Sequence, residues 1–235
     1  MKTSSAKYFF IFYMIIALLE LLSELLDITW LRFISKPLLM IVLAIYFYLS
    51  CSKPLSKNNQ LMLFALFFAW GGDVVLMFTT QFKLAFLMGL ASFLLCHILY
   101  VFHFNKKIDK ESSYKGFVFE NKFMLIPFIA YAYLLIMFVY QGLGDIKIPV
   151  FIYCAVIMCM CIVAINRYGR TNNKSAFLII AGALSFMFSD SVIALNKFSS
   201  LFTGNHILAS LIIMSLYIIG QYLIVEGSLQ HEHQS

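Results

Sequence analysis

The sequence predicts an all-α membrane protein, a polytopic helix bundle with about eight transmembrane helices. Of its 235 residues, 62% are hydrophobic and only 12% are charged, and the mean hydropathy is +0.89. Water-soluble domains contain roughly 45–50% apolar and about 25% charged residues. A soluble fold of this length could not bury so much apolar surface, so the helices must face lipid. The basic residues then belong to loops at a membrane surface, and we expect no nucleic-acid partner.

Eight apolar runs divide the chain into helices, since about 17–25 apolar residues are needed to cross a bilayer as a helix. No linker or soluble module interrupts the series, so residues 1–235 are predicted to form a single integral membrane domain. Its oligomeric state cannot be predicted from these runs. The predicted helices are about Tyr8–Leu26, Pro37–Cys51, Leu61–Thr79, Leu84–Phe104, Phe123–Gln141, Ile148–Asn166, Ser175–Asn196 and His206–Glu226.

Lysine and arginine are distributed unequally between alternate loops. If the N-terminus is inside, twelve basic residues fall in inner segments and five in outer segments. Because basic residues accumulate on the cytoplasmic side of a membrane, we expect both termini to be cytoplasmic, in the inner membrane of a bacterium. The inner set is Lys2, Lys7, Lys53, Lys57, Lys106, Lys107, Lys110, Lys115, Lys122, Arg167, Arg170 and Lys174, and the outer set is Arg32, Lys36, Lys83, Lys147 and Lys197.

Two acids lie deep within predicted helices, Asp73 in helix three and Asp190 in helix seven. A carboxyl group inside the bilayer is costly unless it is paired or hydrated, so such acids usually face a polar cavity. Both helices run outward, and at 1.5 Å per residue the two acids lie about 18 and 22 Å from the helix starts. We therefore expect a functional pair at one level. The alternative is that each acid only pairs with a neighbouring helix.

The roles of the other polar residues within the predicted helices have two interpretations each, one functional and one structural. His97 and Tyr100 lie three residues apart on one face of helix four, and Tyr217 and Gln221 lie four apart on helix eight. A histidine near mid-membrane can relay protons or orient an acid, or it can donate one interhelical hydrogen bond. For Tyr217 and Gln221, holding helices together is the favoured interpretation.

Glu20 and Glu24 place two acids on one face of helix one. Like charges so close need a cation or a proton. Lys36, just before helix two, is the predicted partner of Glu24. The group is interpreted equally well as ion-pair architecture or as part of a headgroup site.

Small residues and missing motifs complete the prediction. No Gly-x-Ser-x-Gly, Walker A or His-Glu-x-x-His motif occurs, so a metal-free pair of acids is the simplest chemistry and no cofactor is expected.

Small residues should let helices three, four and seven pack closely. They are Gly71, Gly72, Gly89, Gly182 and Ala183.

Five short blocks, in the same order, resemble the YhhN family of lysoplasmalogenases. Helices five and six carry no matching motif. The blocks are Lys36–Met40 (KPLLM), Gly72–Met77 (GDVVLM), Phe86–Tyr100 (FLMGLASFLLCHILY), Gly182–Leu195 (GALSFMFSDSVIAL) and Tyr217–Gln221 (YIIGQ).

The resemblance implies an eight-helix membrane hydrolase that cleaves the vinyl-ether bond of lysoplasmalogens to a fatty aldehyde and a glycerophospho-headgroup. The family's acids fall on Asp73 and Asp190, which the membrane argument also selects. This chemistry calls for one protonated and one ionised acid, with His97 as a proton relay. The lysophospholipid partner would be bound within the membrane. The residues expected to contact it are Lys36, Tyr100, Asn196, Tyr217, Gln221 and Glu24.

Two rival functions remain open. A small proton-coupled transporter would use the same acids as coupling sites. A membrane scaffold would use them only to pair helices.

Overall fold

The computed structural model describes residues 4–82, 84–106 and 116–232, and within these ranges the regular elements are all helical. Among the described residues, eight helices are long and apolar enough to cross a membrane. This confirms the predicted fold class and indicates an integral membrane protein. The sidedness of the termini stays a prediction, and Lys2, Lys83, Lys107, Lys110 and Lys115 lie outside the described residues.

The chain forms two compact units, Met1–His103 and Phe104–Ser235. The single membrane domain stays a prediction. Unit 1 contains α1 (Ser4–Leu25), α2 (Thr29–Ser50), α3 (Lys57–Leu76) and most of α4 (Ala85–Lys106). Unit 2 contains the short α5 (Phe117–Glu120), followed by α6 (Leu125–Val139), α7 (Lys147–Ile165), α8 (Asn173–Phe198) and α9 (His206–Glu232). Single 3-10 turns flank α6, so its membrane-spanning segment is Lys122–Gly142.

Helix α2 begins two turns earlier than predicted. It starts at Thr29, so Pro37 lies inside the helix and the prediction that it sits in the first turn is wrong. The short connection from α1 is possible because Asp27 adopts a left-handed conformation, with φ of 51°, which aspartate tolerates better than most residues. The amide of Ile28 then donates to the carbonyl of Ser23. The turn is therefore tight enough to leave a full-length second span.

Glycines bring α3 and α4 together in unit 1. A Cβ atom added at Gly72 would come within 2.7 Å of the Phe93 ring, and one at Gly89 within 2.6 Å of Leu76. The hydroxyl of Ser92 donates to the carbonyl of Phe68 at 2.6 Å. The seam fixes an antiparallel register in which Phe93 lies level with Gly72.

Helices α8 and α9 approach each other even more closely in unit 2. A Cβ atom at Gly182 would come within 2.7 Å of the carbonyl oxygen of Gly220. Further along the same seam, Ser175 donates to the carbonyl of Gly227 at 2.6 Å and Ser189 to that of Ile213 at 3.0 Å. These contacts share one antiparallel register. The prediction that small residues let helices three, four and seven (α3, α4 and α8) pack closely is confirmed.

The sequence assigned Arg167 to an inner loop at the membrane surface. In the structure, however, Arg167 is buried and does not face water. The residue is only 2% exposed, and its guanidinium donates to the carbonyl of Phe104 near the end of α4 at 2.6 Å. A cation is favoured there because the last carbonyls of a helix carry partial negative charge. Burial lowers the pKa of Arg167 to about 10, so the side chain stays charged at neutral pH. Its neighbour Asn166 accepts a hydrogen bond from the amide of Val118.

Gly182→Ala tests the close approach of α8 and α9. Because the new methyl group would meet backbone atoms of α9, we expect a loss of roughly 1–3 kcal/mol in stability. The measurement is the temperature at which the protein in detergent loses its monodisperse elution. Gly71→Ala is the control, since among the described residues a Cβ atom there meets only the Ser92 hydroxyl, at 3.2 Å. Equal heat resistance of the two variants would contradict the proposed packing.

Candidate functional site

Asp73 lies in the last turn of α3 and is 2% exposed. Its position is set by the seam with α4, because the preceding residue, Gly72, packs against Phe93. The carboxyl group is therefore held in a buried, close-packed part of unit 1. Asp73 also lies within a candidate membrane span, Lys57–Leu76, as predicted.

Helical spacing puts Lys36 of α2 at about the height of Asp73 of α3. One cavity is lined by Met40 from α2 and by Trp70 from α3. In antiparallel helices, Lys36, one turn before Met40, is then at the height of Asp73, one turn after Trp70. Lys36 is partly exposed. Lys36, a predicted contact of the lysophospholipid, and Asp73, the predicted acid of unit 1, are thus at similar heights.

His97 and Tyr100 lie farther than Asp73 from the connection between α3 and α4. Both are fully buried on α4. Since Phe93 is level with Gly72, His97 lies roughly 6 Å further along the helix axis and Tyr100 roughly 10 Å further. Of the two, His97 is better placed to act with the acid.

The two glutamates of α1 are held by α2, but not by the residue that was predicted. Arg32 forms the ion pair with Glu24, with 3.1 Å between Nε and the carboxylate, so the expected pairing with Lys36 is wrong. The physical reason is the early start of α2, which places Arg32 in its first turn. Ser35 donates to Glu20, whose second oxygen has no hydrogen-bond partner among the described residues. Glu20 and Glu24 therefore fasten α1 to α2.

Asp190 lies in the turn of α8 that contacts three neighbouring helices. Successive residues in a helix point about 100° apart. Accordingly, Ser189 donates to α9, Asp190 accepts a hydrogen bond from Tyr153 of α7, and Ser191 accepts one from Tyr131 of α6 at 2.7 Å. One polar turn thus joins all the long helices of unit 2.

Sequence reasoning missed the two tyrosines. Both lie on helices that carry no family motif, within long apolar runs. A usable signal was present on α7, where Tyr153, Ile157 and Cys161 follow one another at four-residue intervals. A tyrosine on such an inward stripe must find a hydrogen-bond partner for its hydroxyl. Only the structure shows that the partner of Tyr153 is Asp190.

The other predicted contacts of unit 2 lie at different depths. The seam of α8 and α9 puts Ile213 level with Ser189, so Tyr217 lies roughly 6 Å and Gln221 roughly 12 Å from that level. Tyr217 packs edge-on against Phe186 at 5.4 Å between ring centres, and Gln221 is fully buried. Asn196 lies toward the opposite end of α8, where its side-chain oxygen is 3.2 Å from His206 Nδ1. One small headgroup could not touch both Asn196 and Gln221.

The sequence model of the YhhN family matches residues 31–228, which is most of the chain. The chain belongs to the YhhN family. No curated protein and no solved structure matches it. The YhhN match includes both aspartates and most of the other candidate residues, whereas Glu20 and Glu24 lie before it.

Two cavities in unit 1 of this YhhN protein are lined by uncharged side chains. The larger, of about 540 Å³, lies where α3 is joined to α4 and includes Phe78, Gln81 and Met88. The smaller, of about 310 Å³, lies between α2 and α3 beneath the level of Lys36. Its walls are apolar apart from the indole nitrogen of Trp70, which has no hydrogen-bond partner among the described residues. Hydrocarbon suits both cavities better than a polar ligand.

Arg32→Gln tests whether Glu24 depends on its ion pair. The substitution would leave a carboxylate whose side chain is 8% exposed without its cation, so we expect a loss of roughly 1–3 kcal/mol. Heat resistance in detergent should fall, and the double variant Arg32→Gln with Glu24→Gln should recover most of it. Lys36→Gln is the matched control and should have a smaller effect. A larger effect from Lys36→Gln would show that the wrong cation is assigned.

Proposed function

We propose that this protein hydrolyses the vinyl-ether bond of lysoplasmalogen-type lysophospholipids, with Asp73 and Asp190 as the acid and base. The observation that carries the proposal is membership of the YhhN family. Two aspartates within the matched residues support it: Asp73 is buried, and Asp190 accepts a hydrogen bond from Tyr153 of a neighbouring helix. Residues 72–77 and 182–195, which surround these aspartates, are also among the blocks that resemble the family.

The reaction needs a proton donor and a proton acceptor. An acid protonates the β-carbon of the vinyl ether, which produces an oxocarbenium ion. Water attacks this cation, and a carboxylate accepts a proton from the attacking water. The hemiacetal then collapses to a fatty aldehyde and the free hydroxyl of the glycerophospho-headgroup. Glycosidases also use two carboxyl groups that divide these roles, and their reaction passes through a similar cation-like transition state.

The level shared by Lys36 and Asp73 suits such a substrate. In a lysoplasmalogen, only the glycerol backbone separates the vinyl ether from the phosphate. A lysine beside the phosphate would thus place the vinyl ether near Asp73. His97, buried roughly one turn deeper, would exchange protons with the acid. In this arrangement Lys36 supplies charge recognition and leaves the chemistry to the aspartates.

Asp73→Asn and Asp190→Asn should each lower the rate of aldehyde release by roughly 100-fold or more, because each removes a proton-transfer group. The measurement is aldehyde release from a defined lysoplasmalogen by purified protein in detergent. Asp145→Asn makes the same substitution at an exposed residue and should leave the rate unchanged. Both inactive variants must elute as wild type does.

Absence of aldehyde from well-folded wild-type protein would overturn the hydrolase proposal. The proton-coupled transporter would then be the leading candidate, because it uses the same acids without breaking the ether bond. If both variants instead failed to fold, the aspartates would be assigned to helix pairing.

Lys36→Gln tests recognition of the phosphate. We expect kcat/KM for a lysoplasmalogen to fall by roughly 10- to 100-fold, as expected for a lost hydrogen bond to a charged group. An alkenyl glycerol without phosphate should be hydrolysed equally well by the variant and by wild type. Lys147→Gln, at the start of α7 in the other unit, is the control. An equal loss on both substrates would assign Lys36 to folding or to catalysis and not to phosphate binding.

A further inference from the structure

The hydroxyl of Tyr153 donates to Asp190 across the seam between α7 and α8. Both side chains are partly buried, so the bond lies in a protein environment where water competes weakly. Asp190 has two rotatable side-chain bonds, and a carboxyl group that can rotate is poorly placed to transfer a proton in one direction. A hydrogen bond from an adjacent helix limits that rotation.

The packing of α7 against α8 has other support, so the Tyr153 hydroxyl is not needed to join these helices. Eight residues after Tyr153, Cys161 lies 3.4 Å from the carbonyl of Ala183, seven residues before Asp190. Cys154, Ile157 and Cys161 are all buried on α7. A phenyl ring at position 153 would keep the ring contacts of the tyrosine. Loss of the hydroxyl alone should therefore change the orientation of Asp190 more than the pairing of the helices.

Tyr131 provides a control within the same turn of α8. It is also partly buried, and its hydroxyl also donates to α8, but to Ser191 instead of the acid. Ser191 in turn donates to the carbonyl of Met187 at 2.8 Å. Replacing either tyrosine with phenylalanine removes one oxygen and one interhelical hydrogen bond. The two changes differ in whether the lost bond reaches Asp190.

We propose that Tyr153 is a positioning residue that holds the carboxyl group of Asp190 in the orientation required for proton transfer. The inference rests on the proposed function for its effect on catalysis, but the contact itself is independent of what the protein does. Tyr153 need not touch the substrate. Its role is exerted through Asp190 and should be visible in that carboxyl group.

The first experiment is infrared difference spectroscopy of purified Tyr153→Phe against wild type. Loss of the hydrogen bond should shift a carboxyl or carboxylate band, and the shift should vanish when both proteins carry Asp190→Asn. Tyr131→Phe should give no comparable band that depends on Asp190. A spectrum of Tyr153→Phe without an Asp190-dependent band would overturn the inference, whatever the activity of the protein.

The second experiment is the kinetics of aldehyde release. Tyr153→Phe should lower kcat by roughly 10- to 100-fold, as expected for a lost hydrogen bond to a charged group, with little change in KM. Tyr131→Phe should lower kcat far less. Equal losses in the two variants would show that only helix packing matters and would overturn the positioning role. Absence of aldehyde from wild type would overturn the proposed hydrolase activity and, with it, the kinetic role of Tyr153. The infrared result would still decide whether Tyr153 orients Asp190.

Discussion

The hydrocarbon core of a bilayer offers no hydrogen-bond partners, so the polar side chains within the spans must find theirs inside the protein. The described hydrogen bonds follow this constraint. Serines within the helices donate to carbonyls of their own helix, as Ser35 does to Leu31, or to those of a neighbour, as Ser92 does to Phe68. Glu20, Glu24 and Asp190 receive donors or cations from adjacent helices. Each contact between two helices therefore fixes a helix as well as satisfying a side chain.

Helix α8 shows how packing and polarity depend on each other. The approach of Gly182 to Gly220 fixes the register between α8 and α9. With the rotation of α8 set in this way, residues 189 to 191 point toward three different neighbours. Asp190 then meets α7, where Tyr153 supplies the donor. The glycine contact lies two turns away from the acid, yet it determines which helix the acid faces.

A hydrolase and a proton-coupled transporter would place different demands on this arrangement. A transporter needs acids that change their partners as the helices move. A hydrolase needs carboxyl groups that stay in one orientation throughout the reaction. Close packing through glycine and the hydrogen bond from Tyr153 to Asp190 both favour a fixed orientation. The level shared by Lys36 and Asp73 adds a charge suited to a phosphate, which proton coupling alone does not require.

Composition and hydrophobic run length determined the fold class and the number of spans, and they placed Asp73 and Asp190 within two of these spans. This was possible because the free-energy cost of exposing a polar group to lipid depends on the type of residue. The spacing of small residues also indicated where helices pack closely. Contacts between helices were decided only by the tertiary structure. The left-handed turn at Asp27 lengthened α2 and gave Glu24 to Arg32 instead of Lys36, and the rotation of α7 gave Asp190 to Tyr153. Sequence position alone does not settle such pairings, because they depend on the start and rotation of each helix, which are set by its neighbours.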